Sequence, residues 1–64
     1  MNKQFVLEVK SLIPYEYDFE YELNNIINIT EGQVSLADVI RMTLEDKLSK
    51  SRIESLIEKY KFEV

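Results

Sequence analysis

Four carboxylates in strict alternation, Glu16, Asp18, Glu20 and Glu22, are the residues whose type and spacing come nearest to chemistry in this chain. Acids in such a series can hold a cation, act as an acid–base pair, or present a negative surface to a basic partner. On a β-strand, alternate residues stand about 6.6 Å apart on one side, so the four would form a straight row roughly 20 Å long. That spacing is comparable to the separation of phosphates along a DNA strand. The row therefore suits a basic groove on a protein partner, including a groove that normally grips nucleic acid. A flat row does not wrap round an ion as a calcium loop does, so no metal is expected. Paired carboxylates work as acid and base only in a cleft, which 64 residues have little room to build. The competing reading makes the row the solvated face of a half-covered antiparallel sheet, where charge also blocks edge-to-edge aggregation. Aligned like charges repel, however, and a plain solvated face mixes its signs.

A second set is basic: Lys47, Lys50, Arg52 and Lys59 lie in a segment that reads as two helices joined by a turn. They could contact phosphates as a helix-turn-helix does. Glu45, Asp46, Glu54 and Glu58 are interleaved with them, the connection lacks glycine, and the net charge is −4. Nucleic-acid binding is thus the lesser alternative. The rings of Tyr15, Tyr17, Phe19 and Tyr21 could stack on bases, but no basic residue accompanies them, and a core role is preferred. With no His or Cys, no glycine-rich phosphate loop and no nucleophile motif, the chain is read as a non-enzyme without a cofactor.

The elements that position these residues follow from periodicity. Tyr15–Leu23 alternates rings or aliphatics with acids, which predicts a strand with an aromatic face and an acidic face. Residues 4–10 alternate more loosely and read as a first strand, joined to the second through a loop at 11–14 containing Pro14. After Asn24-Asn25, residues 26–30 are rich in β-branched side chains and read as a third strand. A helix over 22–29 is the alternative, since Leu23, Ile26 and Ile27 also fit a helical spacing. Glu31-Gly32-Gln33 is a turn around the single glycine. Ser35 is placed to cap a helix over 36–48, with Leu36, Val39, Ile40, Leu44 and Leu48 on one stripe. Ser51 and Glu54 resemble a capping box for a last helix over 52–62, whose face holds Ile53, Leu56, Ile57 and Tyr60. The expected fold is α+β, with a small N-terminal antiparallel sheet of two or three strands and two C-terminal helices packed on its aromatic face.

Residues 1–64 make one domain. No disulfide or zinc site can staple it, and the apolar fraction of 45% is ample for a globular core. No secretory signal and no membrane-length apolar run is found, so a cytoplasmic protein is expected. Val6, Met42, Phe62 and Val64 find no place on the assigned faces, and a small sheet leaves its edges open. A homodimer sealed by these groups or by edge-strand pairing is expected, with its two acidic rows kept apart. The functional expectation is a small protein-interaction module, such as a regulator, inhibitor or antitoxin-like factor, docking Glu16, Asp18, Glu20 and Glu22 on a basic protein surface. The alternative is a DNA-binding regulator using Lys47, Lys50, Arg52 and Lys59.

Overall fold

The computed structural model describes residues 1–62 and contains four α-helices: α1 (Lys3–Leu12), α2 (Phe19–Ile29), α3 (Leu36–Leu44) and α4 (Lys50–Lys59). Among the described residues there is no strand, so the expected α+β fold is corrected to an all-helical one. Residues 4–10 lie in α1, 15–23 run from a linker into α2, and 26–30 complete α2 and its cap. The helical alternative for 22–29 was the sounder reading of that stretch.

Burial along each segment shows why. In α1 the buried residues are Phe5, Val6 and Val9, while Leu7, which a strand would place beside Phe5 and Val9, is 62% exposed. Asn2 caps the helix, its side chain accepting from the backbone N–H groups of Gln4 and Phe5 at 2.8 and 3.2 Å. Ile13 is extended, as the residue before a proline should be, and ends α1. In α2 the buried pair is Phe19 and Leu23, with Ile26 and Ile27 packed against the core beside them. Tyr15 is 98% exposed, and Tyr21 also faces outward. The alternating acids have a helical use as well. Asp18 is the N-cap, accepting from the Tyr21 N–H at 3.1 Å, and Glu20 and Glu22 lie in the first turn, where the helix dipole favours negative charge.

Ser35 caps α3, accepting from Asp38 N–H at 3.2 Å. The stripe of Leu36, Val39, Ile40 and Leu44 is one helix face, but α3 ends at Leu44, where Lys47 and Leu48 N–H groups both turn back onto the Leu44 carbonyl. The last helix is capped by Ser49, which accepts from Arg52 N–H at 3.2 Å, so it begins before the box expected at Ser51. It ends at Lys59 with Tyr60 as C-cap, short of the expected 62.

α2 and α3 make the most extensive helix pair, with α3–α4 and α1–α2 next. Phe5, Val9, Phe19, Val39, Ile40 and Leu44 are fully buried at the centre. Phe5 organises the aromatic part, meeting Phe19, Tyr60 and Phe62 edge-on at centroid distances of 5.7, 5.4 and 4.7 Å. Such pairs add about 0.5–1.5 kcal/mol each beyond area burial. The surface of 4581 Å² is close to the ~4,300 Å² expected of a folded monomer of 7.6 kDa. Two of the four residues offered as a dimer seal are taken up inside the chain: Val6 is buried and Phe62 packs on Phe5. Met42 is partly exposed, and Val64 lies outside the described residues. No described helix is long and apolar enough to cross a membrane.

Candidate functional site

Pro14 breaks the chain after α1, and residues 14–18 turn the corner into α2. That corner borders an open depression of about 520 Å³. Its apolar wall is Ile13, Pro14, Tyr15 and Tyr17; its charged rim is Glu16, Asp18 and Glu20 with Lys10 across from them. Three of the four acids expected to act together are therefore brought together, though around a corner and not along a row. Glu22 is half-buried and does not line the depression.

Each group there has a distinct tie. Lys10 Nζ stands 2.7 Å from Glu20 Oε1, and this hydrogen bond raises the lysine's affinity for its proton. Asp18 is held by its capping bond. Glu16 is exposed and has no ion pair among the described residues. Tyr17 anchors the linker: its hydroxyl donates to the Thr43 carbonyl at 2.7 Å and Lys47 Nζ lies 4.8 Å from its ring centroid. Burial pushes the Tyr17 hydroxyl's pKa up, helped by the carboxylates of Glu22 and Asp46. The result is a fixed corner bearing an outward ring, Tyr15, next to one unpaired and two tethered carboxylates.

The basic set is divided. Lys47 covers Tyr17. Lys50 borders a depression of about 240 Å³ between α3 and α4 with Arg41, Glu45 and Glu54. Arg52 and Lys59 border a different one of about 180 Å³, shared with Glu8. Lys59 Nζ is committed to Glu8 Oε1 at 2.8 Å.

Two clusters escaped sequence reasoning. Arg41 donates from Nε and Nη2 to the two oxygens of Glu54 at 2.7 and 2.9 Å and from Nη1 to Asp38 at 2.6 Å, joining α3 to α4. The Asp38–Arg41 spacing of three was legible as a helix pair, but Glu54 gave no sign of joining it. Glu8 accepts from both Lys59 and the Tyr60 hydroxyl, and these bonds hold its carboxyl below the usual carboxylate range. Neither cluster borders an enclosed cavity, and both read as helix-to-helix ties. Among the described residues no group of three or more acidic side chains is arranged to hold a metal. Compared with known protein families, curated proteins and solved structures, the chain shows no significant match.

Proposed function

We propose that the chain is a non-enzymatic protein-interaction module that docks its α1–α2 corner on a basic protein surface. The observation that carries this reading is the convergence of Glu16, Asp18 and Glu20 on one depression beside a fully exposed tyrosine ring. Tyrosine beside charge suits an interface centre, because its flat ring gives contact area at low entropy cost and its hydroxyl tolerates water. The partner supplies lysines or arginines to the carboxylates, and Tyr15 supplies the apolar contact. The DNA-binding alternative requires Lys47, Lys50, Arg52 and Lys59 on one exposed side. Lys47 lies over the Tyr17 ring and Lys59 is paired with Glu8, which favours the acidic corner as the docking surface.

A pull-down from a host lysate at about 0.05 M and about 0.5 M salt tests the reading, since exposed charge contacts are screened at the higher value. The bound partner should be lost at high salt and by the double substitution Tyr15→Ala, Glu16→Lys, which touches no internal contact. Equal retention in either arm would sink it.

A further inference from the structure

The outer side of α2 is unlike that of the other three described helices. Phe19, Leu23, Ile26 and Ile27 face the core, so Tyr21, Asn24, Asn25 and Asn28 lie on the opposite side, all exposed, with Ile29 at the edge. Tyr21 is 64% exposed and Ile29 70%. No charged residue occurs from Leu23 to Thr30, although 31% of the chain is charged. The exteriors of α1, α3 and α4 all carry charge, at Lys3 and Lys10, at Asp38, and at Arg52 and Glu58.

We propose that this neutral strip is a self-association surface, occupied by the same strip of a second copy about a twofold axis. The choice of occupant rests on charge. Two copies with a net charge of −4 repel at long range, and an uncharged facing surface adds no further carboxylate repulsion at contact. Among the described helices, the exterior of α2 beyond Glu22 alone meets that condition.

Charge also sets the orientation. Glu20 and Glu22 flank the strip at the N-terminal end of α2. Parallel helices would bring four carboxylates together. Antiparallel helices carry them to opposite ends, each beside the partner's uncharged C-terminal half, and set the two helix dipoles head to tail. The strip runs from Tyr21 to Asn28, so the axis passes between Asn24 and Asn25. Tyr21 then faces the partner's Asn28, and the central amides, each both donor and acceptor, meet across the axis. One helix pair buries less than the ~1,200 Å² of a standard interface, which makes the dimer weak and transient. Tyr15, Glu16 and Asp18 stay uncovered at opposite ends, and the dimer does not depend on their having a partner.

Sedimentation equilibrium up to about 1 mM protein should show the mass rising toward twice 7.6 kDa. Added salt should strengthen the dimer by screening its self-repulsion, whereas it weakens docking at the acidic corner; the two readings thus fail separately. Asn25→Asp should leave a monomer with unchanged helix content, and Leu7→Lys should leave the dimer intact. The chain has no cysteine, so single-thiol variants report the register. In the antiparallel pair Asn28 stands about 10 Å along the helix from the partner's Asn28, beyond the ~7 Å reach of a disulfide. Oxidising a mixture of Asn28→Cys and Tyr21→Cys chains should give the mixed disulfide. A monomer mass throughout, an Asn25→Asp dimer as strong as the native one, or a predominance of Asn28→Cys homodisulfides would overturn the proposal.

Discussion

Glu8 and Tyr60 stand 52 positions apart in the chain, yet the Tyr60 hydroxyl donates to Glu8 Oε1 over 2.6 Å. Lys59 reaches the same oxygen at 2.8 Å, and the Tyr60 ring lies edge-on to Phe5 one turn before Glu8. The first helix and the end of the last are thus clasped by one carboxylate above an aromatic contact.

This clasp makes stability depend on pH at both extremes. The bonds from Lys59 and Tyr60 lower the pKa of Glu8, and that from Arg41 lowers the pKa of Glu54. A lowered carboxylate contributes stability above its unfolded value of 4.5, and that stability disappears as pH falls through the folded value. Tyr60 is raised by its bond to Glu8, and Tyr17 by burial, from 10.0. Their contribution is complete below pH 10 and is lost as pH rises through the folded values. Thermal melts from pH 2 to 12 should therefore show a plateau with an acid and an alkaline limb. Glu8→Gln should flatten the acid limb; an unchanged acid limb in that variant would show that Glu8 is not part of it.

Neighbouring residues in α1 should respond in opposite ways. Phe5→Ala removes the centre of the aromatic cluster and should cost about 3–5 kcal/mol, most of the stability of a small domain. Leu7→Asn, two positions on, should change stability by less than about 0.5 kcal/mol. Urea unfolding of both variants measures the contrast, and a strand would have demanded similar losses at the two sites.

The start of α4 offers a test of a single hydroxyl. Ser49→Ala should cost about 1 kcal/mol through the lost bond to Arg52 N–H. Ser51→Ala, inside the helix and exposed, should be neutral or slightly stabilising, since alanine is the better helix former. Equal losses in chemical denaturation would contradict the assigned cap.

Gly32 has φ +71 and nothing within 4 Å of the position its Cβ would take. Gly32→Ala should thus cost about 1 kcal/mol from backbone conformation alone. Glu31, at φ 55, bears the same strain already, and Glu31→Gly should leave stability unchanged or improve it. A loss of stability on Glu31→Gly matching that of Gly32→Ala would point to a role for the glutamate side chain.

The two C-terminal helices and their buried faces, though not their ends, were legible from sequence because the signals are local. Ser35 before Asp38 satisfies a nearby amide, the lone glycine turns the chain, and Ile53, Leu56, Ile57 and Tyr60 share a face only at a period of 3.6. The N-terminal half was not legible, because its buried pairs are Phe5 with Val9 and Phe19 with Leu23. Residues four apart lie on the same side of both a strand and a helix, so these pairs satisfy either period. Val6, Leu7, Tyr15 and Tyr21 were the discriminating positions, and a tyrosine is stable either in a core or with its ring in water. Local sequence decided that positions 5, 9, 19 and 23 would be buried. Only the tertiary structure decided the backbone between them, by packing α1 and α2 into one core with α3 and α4. It also decided the fate of the acids: with α2 helical, Asp18 became a cap, Glu20 an ion-pair partner, and Glu16 remained free at the corner.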